Sequence, residues 1–152
     1  MRALLALVAL SAVALQASST AAAPTATYLP ADKVAAAFAK GMPLVEVDNY
    51  KVHASRREAP GMVEVHNRDT DIVYVLDGTA TVVLGGQVIG GKTIASDEIR
   101  GSSITGSTET RHLVKGDVLI VPNGMPHWFT EVQVPFLYYV VKVTAPAGGG
   151  SQ

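Results

Sequence analysis

A chain of 152 residues with 48% hydrophobic and 16% charged side chains holds enough apolar material for one folded domain, which excludes a disordered polymer. Lys and Arg number 12 against 13 Asp and Glu, so the net charge of −1 supplies no field for capturing nucleic acid or an anionic membrane. With no cysteine, a disulfide scaffold, a thiolate metal site and a cysteine nucleophile are all excluded.

Met1-Arg2 opens the chain with positive charge, and Ala3 to Leu15 is apolar except for Ser11. Small residues follow, through Ala21-Ala22-Ala23 to Ala26. A basic start, a short apolar run and a small-residue exit predict a secretory signal peptide over 1–23, cut somewhere within 17–26. The apolar run falls short of the about 20 residues that span a bilayer. The expected destination of the mature chain is the periplasm or the exterior, with no membrane insertion after cleavage.

Residues 24–43 read as an extended lead-in followed by a short helix. Asp32 stands where an N-cap would, Val34, Ala35 and Phe38 form an apolar stripe, and Lys40-Gly41 supplies a basic last turn and a stop. From Leu44 no helical period returns. Short β-branched and aromatic runs recur at 44–48, 50–57, 62–66, 72–77, 79–84, 111–114, 117–121, 127–132 and 136–143, separated by Gly, Pro and Asn. That rhythm predicts an all-β barrel or sandwich over 44–143. Asp77-Gly78 predicts a two-residue hairpin turn. Residues 85–110, rich in Gly, Ser and Thr, interrupt the rhythm and predict either a lid or a hairpin arm. Residues 144–152 read as a flexible tail.

Two islands carry the chemistry. In the first, Glu64 and His66 alternate with Val63 and Val65, so the two polar side chains share one strand face. Asp71, Val73 and Val75 follow on a second alternating run that ends at Gly78. In the second, Gly116 opens a strand that meets a Pro122-Asn123-Gly124 turn, and His127 begins the next strand beside Trp128 and Phe129.

These islands resemble the two motifs of the cupin superfamily. The first family motif is His-x-His, three or four residues, Glu, six residues, Gly. Aligned on Gly78, it places Asp71 at the acid, His66 at the second histidine and Glu64 at the first. The second motif, Gly, five residues, Pro-x-Gly, two residues, His, three residues, Asn, falls without a gap on Gly116, Pro122, Gly124 and His127, with Glu131 at the Asn position. The resemblance covers about residues 44–143 and implies a double-stranded β-helix barrel, commonly a homodimer, with a site inside it. It also implies a divalent metal held by His66, Asp71 and His127, with Glu64 as a fourth ligand or a base. Glu64 replaces a histidine and Asp71 a glutamate, and both replacements can still ligate. Imidazole and carboxylate donors suit manganese, iron(II) or zinc.

Further residues read as site candidates. The more apolar phase of 50–57 contains Tyr50, Val52 and Ala54 and would aim Arg56 inward, as a clamp for a substrate carboxylate. Tyr138 and Tyr139 alternate, so one faces the cavity; Tyr139 is taken with Phe129 as a substrate-binding candidate. Glu131 shares the parity of His127 and Phe129 and would be a proton-transfer group beside Glu64. Trp128 reads as packing, His53 as surface, His112 as indeterminate, and Glu98 with Arg100 as a solvated charge pair. Three functions accommodate these residues: a metal-dependent enzyme acting on a small molecule by oxygenase, isomerase or lyase chemistry, a non-catalytic periplasmic barrel for a small ligand or metal, and a barrel that has lost its metal.

Overall fold

The computed structural model describes residues 25–146. One helix, α1 (Ala31–Lys40), precedes eleven strands. These are β1 (Met42–Glu46), β2 (Tyr50–Arg57), β3 (Val63–His66), β4 (Asp69–Asp77), β5 (Ala80–Ile89), β6 (Lys92–Ala95), β7 (Glu98–Gly101), β8 (Ser103–Leu113), β9 (Val118–Val121), β10 (His127–Val132) and β11 (Phe136–Thr144). They form two antiparallel sheets, ordered β1-β2-β11-β4-β9 and β6-β7-β3-β10-β5-β8. Consecutive strands repeatedly change sheet, and the two curved sheets make the double-stranded β-helix. No helix among the described residues is long and apolar enough to cross a membrane.

The space between the sheets is divided along its length, because the inward phase of each strand changes character partway. Along β4 the buried residues run Asp69, Asp71, Val73, Val75; along β11, in the opposite direction, they run Phe136, Tyr138, Val140 before Lys142. One end therefore closes on an apolar core of Val73, Val75, Val82, Phe129, Phe136 and their neighbours. Phe136, Val75 and Val82 are fully buried, each contributing roughly 1.5–3 kcal/mol of transfer free energy. The other end is lined by charge.

Helix α1 covers the outside of the first sheet. Ala54 is wholly buried beneath it, and Phe38 meets Tyr139 edge-on at 4.8 Å between ring centroids. The helix starts after Pro30 with no side-chain cap; Asp32 lies in the first turn and favours the positive end of the helix dipole. Gly41 ends it in the left-handed conformation.

Two turn expectations change. Asp77-Gly78 does not close a hairpin: β4 pairs with β11 and β9, whereas β5 pairs with β10 and β8. The dipeptide instead carries the chain from one sheet to the other, since burying the apolar faces of both strands requires them to lie in opposite sheets. Residues 85–110 form a hairpin arm, not a lid. Here β5 extends to Ile89 and β8 begins at Ser103, with β6 and β7 inserted between them. At the C-terminus β11 extends through Thr144, and the Ala145 amide donates to the Arg68 carbonyl. The expected leader at 1–23 and the tail beyond residue 146 lie outside the described residues.

Gly78 sits at φ +77°, where a Cβ would stand 2.7 Å from the Pro135 carbonyl oxygen. Both backbone strain and a backbone clash oppose a side chain there. Gly78→Ala is expected to lower stability by roughly 1–3 kcal/mol, read from urea unfolding. An unchanged midpoint would contradict this account of the corner.

Candidate functional site

Strand register assembles the polar end from segments far apart in sequence. On β3, Glu64 pairs across the ladder with His127 of β10 on one side and with Arg100 of β7 on the other. His66, two residues on and on the same face, pairs with Glu98. The Pro122–Gly124 turn is clipped to β3, because the Gly124 amide donates to the His66 carbonyl at 2.8 Å. Cross-strand neighbours stand close enough for direct side-chain contact, so these pairings suffice to gather the groups.

Each imidazole is fixed from behind. Nδ1 of His66 meets the Glu98 carboxylate, and Nδ1 of His127 lies 3.2 Å from the Met125 carbonyl. Both acceptors hold the proton on Nδ1 and leave Nε2 facing the cavity. Glu64 is oriented in the same way. Its Oε1 lies 2.8 Å from Nη2 of Arg57 and 2.6 Å from Nη1 of Arg100. Its Oε2 turns toward the imidazoles, 3.7 Å from His66 Nε2 and 3.9 Å from His127 Nε2. One ligand atom each from Glu64, His66 and His127 thus converges within 4.8 Å. With His66 deprotonated, the set fits a small divalent cation: one oxygen and two ring nitrogens, each with its other donor or acceptor already engaged.

The opposite wall comes from the first sheet. Lys142 on β11 pairs in register with Asp71 on β4 and Lys51 on β2. The Lys142 ammonium donates to both Asp71 oxygens, at 2.7 and 2.8 Å, and contacts His66 Nε2 at 2.8 Å. Lys51 bonds Asp69, which also accepts from Thr144. Arg57 crosses between the sheets: its Nε donates to the Tyr138 hydroxyl at 3.0 Å and its guanidinium lies 4.2 Å above the Phe129 ring. The cavity between these walls measures about 510 Å³.

Burial alone would raise the Glu64 carboxyl, but the Arg57 and Arg100 charges outweigh it and hold the group at about 2. Asp71 follows the same logic, with His66 and Lys142 overcoming burial to hold it at about 2. His66 is pushed down by burial and by the Lys142 charge, yet its bonds to Asp71 and Glu98 raise it to about 9. A neutral His66 accepts from Lys142 at Nε2; a protonated one turns that N–H toward Asp71, whose nearer oxygen is 3.4 Å away. Burial lowers His127, with the Glu64 charge opposing, so this ring is neutral near pH 7.

Glu64, His66, Asp71, His127 and Phe129 all line this cavity. Asp71 stands among them as the partner of Lys142, with both oxygens engaged. Three expectations do not hold. Arg56 borders the cavity, but from the outer phase of β2 and paired with Glu58, and the arginine aimed inward at Glu64 is Arg57. The apolar phase of β2 packs under α1, so the polar phase, Lys51, His53, Ser55 and Arg57, lines the interior. Tyr139 lies under α1 for the same reason, and Tyr138 faces inward. Glu131 leaves the face of His127 because a bulge between Phe129 and Glu131 reverses the alternation. It accepts from Thr81 at 2.9 Å beside a separate, shallower cavity that includes His112. His53 lies at the cavity, 2.9 Å from Glu46. Glu98 and Arg100 are not a solvated pair; β7 aims both at the site. Lys142 escaped the sequence reading, although the phase set by Tyr138 and Val140 points it inward.

A family model described as Cupin matches residues 30–149. No curated protein sequence matches the chain. Among solved structures, a Bacillus halodurans protein superposes with a TM-score of 0.54 at 13% identity, over 82% of this chain and 86% of that one. A Neisseria meningitidis protein gives 0.52 at 10% identity, over 78% and 100%. A hydroquinone 1,2-dioxygenase, solved with Cd²⁺ and 4-hydroxybenzonitrile, gives 0.53 at 15% identity, over 71% of this chain and 65% of its own. At these identities the likeness is one of fold.

The electrostatics predict an acid limb in the stability of the metal-free protein. Glu64 and Asp71 have folded values of about 2 against ordinary values of 4.5 and 3.8, so their contribution is complete above the ordinary values and is lost as pH falls toward 2. His66 acts oppositely: its contribution is complete below 6.5 and is lost as pH rises through about 9. Melting temperature should therefore decline on both sides of neutrality. A Glu64→Gln, Asp71→Asn double variant should lose most of the acid decline, and an unaltered acid limb would show that other groups control it.

Proposed function

Because the chain belongs to the cupin family, we propose that its barrel holds one divalent metal on Glu64, His66 and His127 and acts on a small organic anion bound in the same cavity. The observation that supports this most directly is the pair of imidazoles with both Nδ1 atoms engaged and both Nε2 atoms turned toward one carboxylate oxygen. Structural histidines in an ordinary core have no need for that convergence. When bound, the metal supplies Lewis acidity and open coordination positions, compatible with oxygenase, isomerase or lyase chemistry.

The chain's own residues define the rest. Arg57 and Arg100 keep Glu64 ionised and leave it a single free oxygen. Phe129 and Tyr138 form an aromatic wall next to the Arg57 guanidinium. Arg57, Arg100 and Lys142 balance the charges of Glu64, Glu98 and Asp71. A divalent ion would therefore leave the interior positive and favour an anionic ligand. Glu64 would give its one free oxygen to the ion as a ligand, and Glu131 lies outside this cavity.

One observation favours a second reading, a ligand-binding barrel without metal: the Lys142 ammonium already touches His66 and Asp71. Metal analysis separates the two. The first reading expects near-stoichiometric Mn²⁺, Fe²⁺ or Zn²⁺, abolished by His127→Ala and weakened about 10–100-fold by Glu98→Gln, since that change replaces the charge-assisted bond to His66 Nδ1 with a weaker neutral one. Because His66 titrates at about 9, affinity should also rise with pH from 7 toward 9. Wild-type protein that takes up none of these ions by calorimetry or elemental analysis would exclude the metal reading.

We also propose a homodimer, formed through the outer face of β4 and β9. There Tyr74 pairs with Val118 and Ile72 with Ile120, and Val118 and Ile120 are 60% and 58% exposed on an edge strand. Light scattering should give a dimer mass that Ile120→Lys reduces to that of a monomer. A monomeric wild type would reject this interface.

A further inference from the structure

Lys142 belongs to neither motif, yet its ammonium reaches the centre of the site. An ammonium has three N–H donors, and all three are used here: on Oδ1 and Oδ2 of Asp71, and on Nε2 of His66. With Nδ1 of His66 committed to Glu98, the neutral ring has one lone pair to offer, on Nε2. That pair can serve the ammonium or a metal ion, never both.

Asp71 is affected in a second way. Its Oδ2 lies 3.4 Å from His66 Nε2. This matches the spacing of two ligands each about 2.1 Å from one tetrahedral ion. Asp71 nonetheless stands outside the convergent set of Glu64, His66 and His127, and Lys142 binds both of its oxygens. Lys142 is itself largely shielded from water, with 13% of its side chain exposed, and cross-strand pairing with Asp71 holds it in place.

We propose that Lys142 is the site's built-in cation: it competes with a metal ion for His66 and withholds Asp71 from the ligand set. A bound ion breaks only the Lys142–His66 contact, while the ammonium stays on Asp71 beside the coordination sphere. Protein ligands are thereby limited to Glu64, His66 and His127, which leaves open the positions that a reaction needs. Lys142 thus tunes metal affinity and keeps the site accessible, a role that rests on the metal reading given above.

The test is calorimetric titration of Mn²⁺ and Zn²⁺ into wild-type protein, Lys142→Met, and the Lys142→Met, Asp71→Asn double variant. Lys142→Met should bind both ions about tenfold to a hundredfold more tightly, because it releases the His66 lone pair, removes a positive charge beside the ion and frees the neighbouring Asp71 carboxylate. The double variant leaves no buried carboxylate unpaired and so covers the case in which the single variant fails to fold. It should bind more tightly than wild type, through His66 alone, but less tightly than Lys142→Met. Folded variants that bind no more tightly than a metal-binding wild type overturn the role of Lys142 and leave the metal reading intact. If neither wild type nor variants bind, the metal reading falls, and this inference with it.

Discussion

The polar half of this barrel depends on how one carboxylate is divided. Glu64 gives one oxygen to two guanidiniums, Arg57 from one sheet and Arg100 from the other, and turns its second oxygen to two imidazoles. Burying that carboxylate unpaired would be costly, and so would burying either arginine. Together they make a cross-sheet tie that closes the charged end much as Phe136 and Val75 close the apolar end. Replacing Glu64 would therefore disturb both the seam between the sheets and the face offered to a cation.

A second tie runs parallel to the first. Lys142 and Asp71 belong to one sheet and His66 to the other, and Glu98 secures the far side of the ring. The two ties share the interior at His66, where acid, base and ammonium groups lie within hydrogen-bonding range. Such a cluster is stable while its charges balance, and a cation that enters would take His66 from the ammonium and leave positive charge for an anion to offset. In the proposed site, structural pairing and ligand binding would use the same atoms.

Much of the site was legible from sequence. The alternation of Glu64 and His66 defines a shared face, and the Gly116–His127 spacing identifies the turn that carries the second histidine. What parity could not supply was which face of a strand is inside. In β2 the apolar phase packs outward beneath α1, so the Arg56 reading was inverted and Arg57 went unnoticed. In β11 the same helix claims Tyr139 and leaves Tyr138 to the cavity. In β10 one bulge removes Glu131 from a face that unbroken alternation would give it. Glu98 and Arg100 read as a solvated pair because their strand lies in a Gly- and Ser-rich stretch, where only pairing with β3 gives it an address.

The sequence by itself determined the β rhythm, the two motif islands, the family and the imidazole–carboxylate character of the site, because these follow from local spacing and residue type. Tertiary structure decided which arginine and which tyrosine face inward, that Glu98 supports His66 and Arg100 supports Glu64, and that Lys142 faces them. The physical reason is that strand alternation specifies two faces without saying which is buried. That assignment comes from what packs against each face, and from registers that join residues dozens of positions apart.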